Sequence, residues 1–552
     1  MTRDLLTMDF ETHYSVDYSL SKMTAIEYVY DPRFEVILVS VKKNDEPTVW
    51  FSGSWEETVQ WLSQYNINES LVCMHNGSEF DCLILGKMGF VPFRYICTLA
   101  LARLKGLQDA AGGSLAALCK HFNLPPKGDE VVHAIGLRRA DFSPEQLARY
   151  GAYCCNDTDR CYDLLCIMMP GVPAIEWVIM DILIKFLARP RLQLDRPLLE
   201  AYAEQLANRQ EEILNELGVT KEELSSSAKF AELLQGAGIE PPMKPSPTQP
   251  ERLIYAFAKG DAAMVELLAH DDEVVASLAA ARLNVKSTIE ATRTKRFLDT
   301  HALMGVMPMP QRYHGAHTGR GTGTMLLNML NLSSRRRKPV LKQALLAPDG
   351  YVVVEGDSSQ IEARTNSWNA EQDDLIRVWD NERSEMLFLL TMGASAEEFA
   401  ALKRKYDVYR DFAADWIYHI PRDQVTPEMR MVAKSAVLGC GYMMGVERFR
   451  EYVRIETGLH LDIGQAQAVI YAYRTRMNRI AGFWDVCKTV LAGMVHGEEF
   501  NFGRNGWLKS DPHDKTIRLP SGRFLFYRGL HVIAADEVAR RAQAQSVQVV
   551  VA

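Results

Sequence analysis

Residues Val352–Arg364 read VVVEGDSSQIEAR. Three β-branched residues in a row favour extended backbone. The run predicts a buried strand, fed by the turn at Pro348–Gly350 and ending in the acid Asp357, then a short loop into a helix bearing Glu362 and Arg364. Alone, this is an ordinary strand–helix junction, with Asp or Ser as the helix cap. A second stretch gives it company. Residues 430–445 read RMVAKSAVLGCGYMMG, where Arg430, Lys434 and Tyr442 recur at multiples of four. On a helix that spacing places them along one broad, slowly drifting face. Two cations followed by an aromatic ring suit a triphosphate with a base beyond it, the plainer reading being a solvated basic face. Gly439 and Gly441 weaken any helix and imply close approach by another group.

Working outward, 552 residues leave room for roughly two to four domains. The content of 47% hydrophobic and 24% charged residues is that of a soluble globular protein. A net charge of −8 carries no nucleic-acid signal by itself, so any basic surface must be local. The ten cysteines show no CxxC pair and no zinc spacing, which suits reduced thiols and a cytoplasmic location. The start has no signal-peptide pattern. The longest apolar stretch, Leu164–Ala188, is broken by Pro170, Gly171 and Pro173, so no membrane span or membrane partner is expected. Residues 1–165 mix strand-like runs (LLTMDF, FEVILVSV, SLVCMHN) with helical stretches, an α/β pattern. Residues 174–303 read as helical, interrupted by a loop at 240–252 whose five prolines forbid a continuing helix. Residues 361–500 are again helical, and LPSG at 519–522 is a turn between two strands.

Near the N-terminus, DFET puts Asp9 and Glu11 on the same face of a strand, where like charges repel. Either that edge is solvated or a cation sits between them. Downstream, MHNGSEFD brackets Phe80 with Asn76 and Asp81, and YCCND spaces Tyr153 and Asp157 four apart, on one helix face. Three acidic spots in one α/β region suit a cage for hard divalent cations such as Mg²⁺. Two such ions about 4 Å apart would stabilise both the attacking and the leaving oxygen of a phosphodiester cleavage.

The ordered trio D-x-E, N-x-x-x-F-D and Y-x-x-x-D resembles the motifs of DEDD-type 3′–5′ exonucleases, in the branch with tyrosine in the third motif. The resemblance implies an RNase H-like α/β fold. Asp9, Glu11 and Asp157 would hold one metal ion and Asp9 the second; Asp81 would act through the waters around them. Tyr153 would orient the attacking water, and Asn76 and Phe80 would seat the terminal nucleotides. The segments DSSQIEAR and R-x-x-x-K…Y resemble family A DNA polymerases. The bacteriophage branch fits best, on YHGAHTGRGTG at 313–323, LPSGR at 519–523, AFAKGD at 256–261 and ARLNVKSTIEATRTKRF at 281–297. The resemblance implies a polymerase right hand after the exonuclease, divided as exonuclease 1–165, thumb 166–300, first part of the palm 301–370, fingers 371–500 and a partial return to the palm at 501–552.

By this resemblance the activity is template-directed DNA synthesis with proofreading, using two Mg²⁺ per site or Mn²⁺ in their place. Asp357 would bind both ions with the Ser358 carbonyl, Lys434 would neutralise the triphosphate and protonate the leaving group, and Arg430 would grip the γ-phosphate. Tyr442 would test the base pair and Glu362 would exclude a ribose 2′-OH, with Gln360 and Arg364 in the same nucleotide site. Primer–template DNA would meet Lys286, Thr318, Arg320 and Asn331. Arg282, Arg293, Lys295 and Arg296 on the thumb and SSRRRK at 333–338 would add backbone contacts. Implied partners are dNTPs, primer–template, a processivity factor, or a second polypeptide completing the palm. Three departures stand out: Ser358 replaces an aromatic, Leu438 replaces the aromatic of bacterial members, and Leu330 stands where NxQNL is usual. After the LPSGR turn the family carries a further palm helix and a His-Asp-Glu hairpin. Asp536-Glu537 comes too soon, lacks the histidine and reads as a chance dipeptide, so the palm is expected to be incomplete. Two other readings follow: an exonuclease whose polymerase half only binds primer–template, and a non-catalytic replication scaffold. The intact exonuclease acids argue against the scaffold.

Overall fold

Alternation along Leu5–Thr12 decides the first strand, β1. Leu6, Met8 and Phe10 turn one way into an apolar core, while Thr7, Asp9 and Glu11 turn the other way. The computed structural model describes residues 3–128, 133–246, 248–249, 251–286, 289–332, 339–354 and 356–531, without the side chains of Asp109 and Lys286. The SSRRRK run and the tail with Asp536 and Glu537 lie outside the described residues. The chain forms two compact units, Met1–Val353 and Val354–Ala552.

In the first unit β1 is the centre of a mixed five-stranded sheet. Strands β2 (Val36–Lys43), β3 (Val49–Phe51), β4 (Leu71–Met74) and β5 (Arg94–Cys97) give the order β3-β2-β1-β4-β5. The pairs β1–β2 and β2–β3 are antiparallel; β1–β4 and β4–β5 are parallel. Asp9 lies opposite Ser40 and Glu11 opposite Leu38, and the register shifts between Glu11 and Thr12. The acid-bearing face is covered by the helix Pro144–Met168. Its start is fixed by sequence: Ser143 and Gln146 form a reciprocal capping box, and Pro144 fits the first turn, where no donor is needed.

The rest of the first unit is mainly helical. The stretch 240–252, expected as a plain loop, contains half of a two-stranded ribbon, Met243–Pro245 against Leu253–Tyr255. Proline is tolerated there because an edge position needs no ladder donor. A small core of Phe230, Leu234, Phe257, Met264 and Leu278 surrounds Arg282. Arg282 was expected to face a DNA backbone and does not. It is fully buried, donating to the carbonyls of Leu224 and Ser226 and to the Ser227 hydroxyl. Met307, Tyr313, Leu327, Met329, Leu341 and Ala344 belong to the core of the N-terminal sheet. The division between units at Val353 therefore cuts the expected palm segment 301–370 in two.

Among the described residues the strand expected before Asp357 does not form. Tyr351, Val352, Val353 and Val354 are 67, 82, 57 and 85% exposed. A β-run persists only with a neighbour to satisfy its backbone groups, and none of the described strands pairs with this one. The second unit is instead a helical assembly. Helices Ile361–Asn369, Asp373–Thr391, Pro427–Cys440, Val446–Thr457 and Ile463–Arg476 bury Val432, Ala436, Phe449 and Tyr473. Its described part closes with an antiparallel four-stranded sheet whose last turn is LPSG, with Gly522 at φ 81° between Thr516–Arg518 and Phe524–Phe526.

Candidate active site

The first unit brings the separated acids together. On β1, Asp9 and Glu11 offer carboxylate oxygens that lie, with the Cys154 sulfur, within 4.8 Å of one another. Asp157 comes from the facing helix and is 3% exposed. Its Oδ2 accepts from the Lys127 ammonium at 2.6 Å, and its Oδ1 is buried without a hydrogen-bond partner. The Tyr150 hydroxyl donates to Glu11 Oε2 at 2.6 Å. Asp81 opens the helix Asp81–Lys87 and is 3% exposed.

Burying several carboxyls together must disfavour their charged forms. Burial, then the charge of Asp157, pushes Asp9 up to about 7, with Lys127 opposing. Burial and then Asp9 hold both Glu11 and Asp81 well above the ordinary carboxyl range. Burial also raises Asp157, against the pull of Lys127. The Tyr153 phenol is raised by burial, then by Glu11 and Asp157, so it stays protonated. This donor set fits a hard divalent cation: convergent carboxylates short of positive charge, one with an unsatisfied buried oxygen. Cys154 is a poorer ligand. Burial keeps its thiol protonated, and it donates weakly to Asp9.

Around this nest, Asn76 adopts a left-handed backbone (φ 58°), and its carbonyl accepts from the Glu79 amide. Phe80 is half-buried, its ring centroid 5.8 Å from that of Tyr28. Glu79 reaches the other way. It takes two 2.8 Å bonds from the Arg312 guanidinium and others from Arg103 and Thr324. Thr318 and Arg320, between those two anchors, are exposed, as is Asn331, whose carbonyl accepts from Arg293. Lys295 is exposed and pairs with Asp299, while Arg296 is paired with Glu27.

In the second unit, Asp357 and Ser358 are exposed. Gln360 takes a left-handed φ of 55° at the head of the helix Ile361–Asn369, and its side chain accepts from the Trp379 indole at 3.2 Å. Arg364 donates to Glu382 at 2.8 Å and lies over the Trp379 ring. Arg430 and Lys434 share one face of the helix Pro427–Cys440, capped by Thr426 with Pro427 in the first turn. Arg430 is paired with Asp407 and lies over Tyr409. Burial pushes the Tyr409 phenol up to about 12, with Arg430, Asp407, Glu362 and Arg364 all close enough to act on it. Lys434 is half-buried and has no ion-pair partner among the described residues. Tyr442 departs from the expected helical face. The helix stops at Cys440 between two glycines, leaving Tyr442 in the following turn and 68% exposed.

A model of the protein family "DNA polymerase family A" matches residues 196–510. The chain belongs to DNA polymerase family A. Among curated relatives of this family A chain, DNA polymerase I, thermostable, from Thermus aquaticus is 26% identical over 198 residues. That alignment takes in 36% of this chain and about a fifth (20%) of the relative's length. Among solved structures, the POL domain of Pol1 from M. smegmatis, in complex with DNA primer-template and dNTP, is similar in fold. Its TM-score is 0.58 over 98% of this chain and 82% of that one, at 15% identity.

Three residues of the nest escape a reading of the sequence: Lys127, Tyr150 and Cys154. Tyr150 carried a usable signal, lying seven residues, about two helical turns, before Asp157. Lys127 carried none, because its partner is thirty residues away on another element. Among the described residues no helix is long and apolar enough to cross a membrane.

Proposed function

We propose that this family A chain synthesises DNA on a template and removes mispaired 3′ ends, as a replicative polymerase of bacteriophage type. One observation carries the reading. The family match beginning at residue 196 is preceded on the same chain by a mixed sheet and a covering helix that gather half-buried Asp9 with buried Glu11 and Asp157, one of whose oxygens is unsatisfied. A 3-2-1-4-5 strand order with an acid pair on its central strand supports an RNase H-like exonuclease.

Asp9, Glu11 and Asp157 would hold divalent ions, Mg²⁺ or Mn²⁺, in the first unit, and Asp357 with the Ser358 carbonyl would do so in the second. Bound there, such ions supply charge stabilisation for phosphoryl transfer. Tyr153, kept protonated, orients the attacking water; Asp81 shapes the solvent beside Asp9; Asn76 and Phe80 seat the 3′ nucleotides. In synthesis the primer 3′-OH attacks the α-phosphate, a reaction that asks the protein mainly for positioning and charge. Arg430 exchanges Asp407 for the γ-phosphate, Lys434 gives charge and a proton to the pyrophosphate, Tyr442 packs on the nascent pair, and Glu362 excludes a 2′-OH. Gln360 and Arg364 hold this site from behind. Thr318, Arg320, Asn331 and Lys286 contact primer–template.

A labelled primer–template with dNTPs and Mg²⁺ tests both activities together. Asp357→Ala should remove extension and spare 3′ degradation, and Asp9→Ala with Glu11→Ala should do the reverse. A folded chain that binds DNA yet does neither would overturn the proposal. A second reading rests on the exposed stretch Tyr351–Val354, which pairs with none of the described strands. Without a sheet beneath it Asp357 is poorly fixed, so the chain by itself degrades DNA but extends primers feebly until another polypeptide supplies the partner strands. Extension restored by such a fragment would favour this reading.

A further inference from the structure

The acid nest already holds a cation of its own. Lys127 places its ammonium 2.6 Å from Asp157 Oδ2 and 5.2 Å from the Tyr153 ring centroid. Asp9 and Glu11 lie close enough for its charge to act on both. The backbone that delivers it is pinned. Asn156 on the covering helix donates to the Pro126 carbonyl at 3.3 Å. At Gly128 the chain runs so close to Tyr153 that an added Cβ would fall 2.9 Å from the ring. The side chain is not pinned: it is 29% exposed, so the four-carbon stem has a route to solvent while its backbone stays in place.

We propose that Lys127 is a resident counter-ion of the exonuclease nest, occupying Asp157 in the metal-free chain and giving that carboxylate up when a divalent cation enters. The proposal rests on reading the nest as a metal centre. Its physical basis is economy of charge: buried carboxylates crowded together need a positive partner in either state. A lysine on a flexible stem can serve in one state and step aside in the other. Lys127 is thus a positioning residue. It keeps Asp157 aimed into the nest, and it competes with the ion for the same oxygens. Competition of this kind is a coupling between two binding events, typically worth about fivefold to a hundredfold in affinity.

The test is Mn²⁺ binding by the whole chain without DNA, followed through the electron paramagnetic resonance of free Mn²⁺. Asp9→Ala with Glu11→Ala identifies which part of the binding belongs to the nest. Lys127→Met, which keeps the stem and removes the charge, should tighten that part about tenfold. Lys127→Arg should leave it near wild type. A merely structural role predicts the opposite sign, because a loosened Asp157 would bind Mn²⁺ more weakly. Should Lys127→Met weaken the metal-free fold, the same sign is read as a larger rise in melting temperature on adding Mn²⁺. Unchanged or weaker binding in Lys127→Met, with the Asp9-dependent site intact, overturns this proposal alone. Binding that is indifferent to the Asp9 and Glu11 substitutions overturns the metal centre and the proposal together.

Discussion

The two units treat their key acids in opposite ways. Asp9 and Glu11 stand on the central strand of a five-stranded sheet, roofed by a capped helix that delivers Asp157. Asp357 stands on an exposed stretch after four apolar residues that pair with none of the described strands. In the first unit the repulsion between acids is tolerated because the surrounding ladder and core over-determine their positions. In the second the helix behind the acid is well packed, through Gln360 on Trp379 and Arg364 on Glu382, but the approach to it is not. Preorganisation in this chain comes from paired backbone, and a motif alone does not provide it.

The most severe way to break the comparison is to empty the ordered nest. Asp9→Ala with Glu11→Ala should lower degradation of 3′-labelled single-stranded DNA on the order of a thousandfold. DNA affinity, followed by fluorescence anisotropy, should change only a few-fold. Undiminished degradation would show that the preorganised acids are not the catalytic ones.

Next comes the second unit. Glu362→Ala should raise incorporation of ribonucleotides relative to deoxyribonucleotides by about a hundredfold, the size expected when one hydroxyl decides selection. Single-nucleotide extension with matched rNTP and dNTP measures the ratio. An unmoved ratio would reduce Glu362 to a helix residue.

A third prediction uses the nest's electrostatics. Asp9 titrates near 7 in the folded chain, against an ordinary value of 3.8. The folded state therefore binds the proton more tightly. The resulting stability is fully present below about pH 4 and is lost as pH rises through 7. In chelator, wild type should lose up to about 4 kcal/mol more than Asp9→Asn on going from pH 4 to pH 8, with Mg²⁺ restoring much of the difference. Parallel melting curves for the two proteins would show that Asp9 is not held as described.

The smallest effects separate buried from exposed cations. Arg282→Met should destabilise the fold by about 2 kcal/mol by orphaning the carbonyls it satisfies, while leaving the salt dependence of DNA binding unchanged. Lys295→Ala should do the reverse, lowering the slope of log affinity against log salt by about one without moving the melting temperature. Calorimetry and salt-titrated anisotropy read the two apart.

What the sequence made legible follows from the range of the forces involved. The alternation of DFET and the four-residue step of YCCND are local, and both elements form where they were expected. Lys127 entered the nest through a tertiary contact that leaves no local trace, whereas Tyr150 stands two helical turns before Asp157 on the same helix. The run at 352–354 has strand propensity, but propensity cannot create a partner, and the run stays open. Tyr442 lies beyond its helix because the glycine-flanked Cys440 ends it, Gly439 and Gly441 both being poor helix formers visible in the sequence. Arg282 resembled its basic neighbours in every local respect, and only the packed fold shows that it points inward.

Glu79 sits two residues before Asp81 and is riveted to Arg312 and Thr324 at either end of the strip 313–323. Arg103 presses on the same carboxylate from a side chain only 6% exposed. Freeing the strip means breaking a bidentate guanidinium–carboxylate pair and the Thr324 bond together. The strip and the loop that carries Asp81 are therefore one mechanical piece. Any load placed on residues 313–323 is transmitted, through a single carboxylate, to the backbone beside Asp81.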